Sequence, residues 1–135
     1  MSRYLLDANA VIALLNNIDS SLARRTRLHK PGDIAISAIV THELFYGAFK
    51  SKRRQHNVDL IDSLHFAILD FSKDDARQAG ELRAILAVKG TPIGPYDVLI
   101  AGQAKARNMT LVTSNVSEFK RVPGLRIEDW QSTEK

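Results

Sequence analysis

Cysteine is absent from the chain. No disulfide framework and no thiolate metal site can exist, and the cytoplasm is the expected compartment. No apolar run approaches the roughly 20 residues that span a bilayer, so no membrane partner is expected. The segment Arg3-Tyr4-Leu5-Leu6-Asp7 reaches an acid too soon for a secretory leader. The four histidines, His29, His42, His56 and His65, show no zinc-type spacing, and none is given a ligand role. Gly90, Gly94 and Gly102 match neither the P-loop nor the dinucleotide-binding pattern. No Ser-His-Asp or Cys-His set is suggested, and no internal repeat or low-complexity tract is visible.

What is present fits one domain with a real core. The chain has 135 residues, 44% of them hydrophobic and 25% charged, which is ordinary for a globular protein. We expect a single domain over 1–135 with a polar tail at about 131–135. The net charge is +4, and the positive residues cluster. Arg24, Arg25, Arg27 and Lys30 form one group; Lys50, Lys52, Arg53 and Arg54 a second; Lys105 and Arg107 a third. Each group alone reads as a solvated helix face or as an attractor of a phosphate backbone.

Strand and helix signals alternate. Strands are expected at Arg3–Leu6, Ile34–Ile36, Phe66–Leu69 and Met109–Thr113, with a short edge strand near Arg126–Ile127. Helices are expected over Asn9–Asn16, Ser20–His29, Ser37 to about Lys50, roughly Arg53–Ser63, Asp74–Lys89 and Gly94–Arg107. Pro31-Gly32 and Gly90 are stop signals, and Pro95 suits a first helical position. The alternation predicts an α/β fold, a parallel twisted sheet of four to five strands with helices on both faces. In such sheets ligands bind beyond the carboxyl ends of the strands. Asp7 closes the first strand, and Thr113, Ser114 and Asn115 close the fourth, so both point to one crevice.

Four acids stand out. Asp7 follows the apolar run Tyr4-Leu5-Leu6; capping the next helix is its ordinary role and does not exclude metal binding. Glu43 falls beside a stripe made by Val40, Leu44 and Gly47; its bland alternative is an acid paired with Arg. Asp97 begins a stripe continued by Ile100, Ala101 and Ala104; a first-turn acid also serves the helix dipole, but from a face turned to water. Glu118 lies in Asn115-Val116-Ser117-Glu118-Phe119, a turn or short helix where a surface Glu is the default. Gathering acids away from water is costly unless a cation neutralises them. A divalent ion held by oxygen ligands does so and can cut a phosphodiester. Asn9, Thr113 and Asn115 could orient a water or a carboxylate around it, or satisfy turn backbone.

The segments Tyr4-Leu5-Leu6-Asp7-Ala8-Asn9, Thr41-His42-Glu43-Leu44-Phe45-Tyr46-Gly47, Gly90-Thr91-Pro92-Ile93-Gly94-Pro95-Tyr96-Asp97, Leu111-Val112-Thr113-Ser114-Asn115 to Glu118-Phe119, and Val122-Pro123-Gly124-Leu125-Arg126-Ile127-Glu128-Asp129-Trp130 together resemble the PIN-domain ribonucleases, and within them the VapC toxins. Any one motif is weak; their order and spacing are specific. The resemblance implies a PIN-like domain and an endoribonuclease using Mg²⁺ or Mn²⁺. It implies Asp7, Glu43 and Asp97 as metal-site residues. Many relatives carry an Asp where Asn115 stands, and Glu118 looks like the substitute. The Gly-Pro-Tyr-Asp segment and the ending through Trp130 look like the subgroup that cuts initiator tRNA in the anticodon loop. The resemblance also implies a cognate VapB-type antitoxin as partner, a homodimer, and a higher assembly with the antitoxin.

Two rivals remain at this level. Asp7-Ala8-Asn9-Ala10-Val11 faintly resembles the Asp-x-Asp of haloacid-dehalogenase-type phosphatases, but the second Asp is Asn9 and there is no room for the usual cap. A non-catalytic RNA- or protein-binding module is the other. Phe45 and Phe49, one turn apart on the Glu43 helix, read either as core or as a protein interface.

Overall fold

The strands are short, two to four residues each, and the first two lead straight into the helix caps Asp7 and Ser37. The computed structural model describes residues 3–17 and 19–131. In chain order the elements are β1 (Tyr4–Leu6), α1 (Ala8–Asn16), α2 (Ser21–Arg27), β2 (Ile34–Ser37), α3 (Ala38–Lys50), α4 (Arg54–Asp62), β3 (Ala67–Leu69), α5 (Lys73–Val88), α6 (Pro95–Ala106), β4 (Thr110–Val112), α7 (Val116–Phe119) and β5 (Ile127–Glu128). A short 3-10 turn over Pro31–Asp33 leads into β2. The expected elements are all present, with ends shifted by one or two residues. Of the expected polar tail, positions 132–135 lie outside the described residues.

All five strands are parallel, in the order β3-β2-β1-β4-β5. Residues of β1 and β2 are buried at every position, and Leu111 and Val112 of β4 as well. Unbroken burial along a strand means that both sheet faces are covered. The order reverses between β1 and β4, and the crevice of a parallel sheet opens at such a switch. One residue past the paired positions Leu6, Ile36, Val112 and Glu128, the next row across the carboxyl edge is Ser37, Asp7, Thr113 and Asp129. The Asp7 N–H donates to the Val112 carbonyl at 3.1 Å and the Thr113 N–H to the Glu128 carbonyl at 3.0 Å, extending the sheet to that row.

Local chemistry fixes the helix ends. Asp7, Ser20 and Ser37 each cap a helix through a side-chain oxygen. Ser72 and Asp75 form a reciprocal capping box at the start of α5. At its other end Gly90 takes φ +72, and the Thr91 N–H reaches the Leu86 carbonyl at 2.9 Å, a Schellman closure that glycine permits. Helices α5 and α6 cross closely because Gly102 has no side chain: a Cβ there would lie 2.4 Å from the Ala79 Cα. The carboxyl-terminal segment is clasped by Trp130, which is buried, tilted against Tyr4 at 5.0 Å and stacked on His29 at 5.1 Å.

Two expectations need correction. The buried stripe of α3 is Val40, Leu44 and Ala48, spaced by four; Gly47 is exposed, one residue off the phase assigned to it. The third basic cluster is neither a purely solvated face nor a free attractor of phosphate. Arg107 is tied to Asp75 at 2.9 Å and to the Asp70 carbonyl at 2.8 Å, while the Lys105 ammonium donates to the Pro123 carbonyl at 2.8 Å. Asp75 is buried and also accepts from Gln103 and from the Ser72 N–H. Burial alone would raise its pKa; Arg107 and these donors outweigh that and lower it.

Candidate active site

Four carboxylates from separate elements interact at the carboxyl edge of β1 and β4. Asp7 sits between β1 and α1, where its Oδ1 accepts the Ala10 N–H at 2.8 Å. It is 4% exposed, so one group is both cap and buried acid. Glu43 projects from α3, half-buried, on the wall of the cavity that also borders Ala8, Asn9 and Tyr96. Asp97 lies in the first turn of α6, behind the buried stripe Ile100, Ala101 and Ala104. Glu118 comes from α7 and is the most closely held of the four. Its Oε2 accepts the Gly94 N–H at 3.1 Å, and its Oε1 accepts the Asn115 amide at 2.7 Å. Gly94 thus holds one acid through its N–H and leaves room for another, since a Cβ at this position would lie 3.0 Å from the Asp97 Oδ2.

Desolvation dominates the electrostatics. Burial raises the Asp7 pKa against the lowering effects of Thr113 and the Ala10 N–H, and the charge of Asp129 adds to the rise. Burial raises Glu43 too; nearby His42 opposes this and Asp7 reinforces it. Asp97 is pushed up to about 7 by burial first, then by its hydrogen bond with Glu118 and the charges of Glu118, Glu43 and Asp7. None of the four is bonded to a Lys or Arg among the described residues. The sequence patterns for Asp7, Glu43 and Asp97 thus converge in space. Glu118, the plainest of the four in sequence, stands in direct contact with Asp97.

The flanking polar residues divide. The Thr113 hydroxyl accepts the Asn115 N–H at 2.9 Å, and Asn115 in turn donates to Glu118, so this pair forms a brace under the fourth acid. Asn9 is exposed, on the lining of the cavity that Glu43 shares with Tyr46 and Tyr96. Asp129 was missed. It follows the edge strand in the same row as Thr113 and Asp7, its carbonyl accepts the Arg25 guanidinium at 2.9 Å, and its Oδ1 accepts the Gln131 N–H at 3.0 Å. The signal was available in the strand order, since any acid one residue past β5 joins that row.

Oxygen-only donors suit a hard divalent cation. Among the described residues, no group of three or more His, Cys, Asp or Glu side chains stands close enough to cage an ion unaided. Magnesium does not need such a cage, because it commonly keeps several waters and takes one or two carboxylates. Acids that raise one another's pKa without a basic partner fit that mode of binding.

Residues 4–125 match the sequence model of the PIN domain. The chain is 40% identical over 132 residues to the tRNA(fMet)-specific endonuclease VapC of Salmonella typhimurium, covering 96% of this chain and 99% of that protein. It is 44% identical over 130 residues to the ribonuclease VapC2 of Rickettsia felis, covering 94% and 97%. Its fold superposes on the VapC chain of the DNA-bound VapBC structure from Salmonella typhimurium with a TM-score of 0.92 at 40% identity, covering 96% of this chain and 99% of that one.

Proposed function

Because the chain belongs to the PIN-domain family of VapC ribonucleases, we propose that it is a metal-dependent endoribonuclease, the toxin of a toxin–antitoxin pair, with Asp7, Glu43, Asp97 and Glu118 as its acidic centre. The placing of these four acids, from separate elements, at one edge of the sheet with no basic partner among the described residues is the observation that carries the assignment. Mg²⁺ or Mn²⁺ is the cofactor, and Asp7, Glu43 and Asp97 are the residues that would hold it, directly or through water. When bound, such an ion supplies Lewis-acid activation of water and charge stabilisation on the reacting phosphate.

The protein's own groups do the rest. Asp97, with its pKa near neutrality, would release a proton when a cation is held there, so metal affinity would rise with pH. Glu118, braced by Gly94 and Asn115, holds the Asp97 carboxyl in place. Thr113 and Ala10 fix the orientation of Asp7. Exposed Lys30, Lys52 and Arg53 offer basic surface for the RNA backbone, while Arg24, Arg25 and Arg54 are held to backbone carbonyls.

The substrate we assign is tRNA, with the initiator tRNA anticodon loop as target. Support comes from the Salmonella typhimurium relative, named as specific for tRNA(fMet), and from the Gly94-Pro95-Tyr96-Asp97 segment. A VapB-type antitoxin is the partner, as in the VapBC structures that this fold matches. Homodimerisation through Phe45 and Phe49 is part of the same proposal. Their rings lie 6.3 Å apart and Phe49 is 55% exposed. No described helix is long and apolar enough to cross a membrane. The phosphatase alternative finds no support, because exposed Asn9 offers no acid–base group beside Asp7.

The deciding experiment incubates the protein with total RNA and Mg²⁺ or Mn²⁺ and sequences the new ends. Discrete new ends within tRNA are expected, and they should vanish with Asp97→Asn. Undiminished cutting by that variant removes Asp97 from the mechanism. No metal-dependent cutting of any RNA leaves a binding module.

A further inference from the structure

His42, Tyr46 and Lys50 follow one another at intervals of four along α3, so their side chains stand in one row on a single helix face. All three are exposed, Tyr46 at 61%. The Lys50 ammonium lies 4.9 Å above the Tyr46 ring. At the other end of the row His42 meets the edge of Tyr96 at 5.4 Å. Tyr96 precedes Asp97 and is 45% exposed. Between the two tyrosines opens a cavity of about 480 Å³ whose lining includes Asn9, His42 and Glu43. An acid of the cutting centre therefore forms part of its wall.

Two exposed aromatic rings and an amide at the mouth of a phosphodiester-cutting site, with a cation one helical turn beyond, match the chemistry of one ligand. An unpaired base offers a π face to each ring and a polar edge to the Asn9 amide. The phosphate that follows it would meet Lys50. A base inside an A-form duplex has neither face free. We propose that this cavity is a stacking site for an unpaired nucleotide of single-stranded RNA next to the cut phosphodiester, with Tyr46 and Tyr96 as its aromatic walls. The site rests on the ribonuclease assignment above and names the form of RNA that it accepts.

The test uses the full chain with Mg²⁺ and a single-stranded RNA oligonucleotide carrying 2-aminopurine at each position in turn, beside a duplex of the same sequence. Binding should quench the fluorophore at one position flanking the cut, and not in the duplex. Tyr46→Ala and Tyr96→Ala should each abolish that quench and raise KM by about tenfold, a larger change than any fall in kcat. Tyr46→Phe and Tyr96→Phe should restore both, because stacking needs the ring and not the hydroxyl. The proposal is overturned if the Ala variants keep wild-type quench and KM. It is also overturned if the Phe variants behave like the Ala variants, or if the Ala changes alter only self-association in sedimentation. Should the wild type cut no RNA with Mg²⁺ or Mn²⁺, the ribonuclease assignment fails; a position-specific quench lost in the Ala variants would still establish the base site, and its absence would remove both.

Discussion

Replacing Asp97 by Asn keeps the shape of the side chain and removes its charge. In the metal-free protein this change should raise stability; in the presence of metal it should end catalysis. The Asp97 pKa stands at about 7 against an ordinary 3.8, a difference of about 3 units or roughly 4 kcal/mol at full strength. Asp97 is only half-buried, and solvent screening brings the expected effect down to about 1–2 kcal/mol. The sign follows from proton uptake. Between pH 3.8 and about 7 the folded protein holds a proton on Asp97 that the unfolded chain has lost, so wild-type stability falls as pH rises through that window. The Asp97→Asn protein lacks this loss. In urea melts with EDTA, the two proteins should match near pH 4 and diverge by about 1–2 kcal/mol in favour of the variant by pH 8. Added Mg²⁺ should reverse the order, since only the wild type gains from binding. A gap that does not change with pH, or a wild type that is the more stable at pH 8 without metal, would refute the account of Asp97.

Other positions give sharper structural tests. Gly102→Ala forces a methyl against the Ala79 backbone at 2.4 Å and should cost about 1–3 kcal/mol or more in urea denaturation; an unchanged midpoint would mean that α5 and α6 can separate freely. Arg107→Met leaves the buried Asp75 without its cation and should cost roughly 3 kcal/mol. The same change should leave the salt dependence of RNA binding as it is, because Arg107 is committed to Asp75 and Asp70; a lowered salt slope would return it to the RNA-binding surface.

Strands β1 and β2 were legible because each is an apolar run next to a capping residue, Leu6 before Asp7 and Ile36 before Ser37. Asp7 and Asp97 were legible for the same reason: local periodicity placed them at a strand end and on an apolar helical stripe. The strength of Glu118 was not, because it comes from the Gly94 N–H, 24 residues away. Neither was the network around Asp75, whose partner Arg107 is 32 residues off and looks in sequence like one more surface cation. Gly47 was misplaced because a helix of 3.6 residues per turn lets neighbouring positions share a stripe on paper, while packing selected Ala48. Asp129 required knowing that β5 lies beside β4.

The placing of β1 between β2 and β4 has a kinetic result. Asp7 emerges early in synthesis, yet its neighbours Thr113 and Asp129 lie in the last third of the chain, and the Arg25–Asp129 link spans 104 residues. Contacts of such range form late, after the local helices. The row of Asp7, Thr113 and Asp129 would therefore be completed only when the final strands dock.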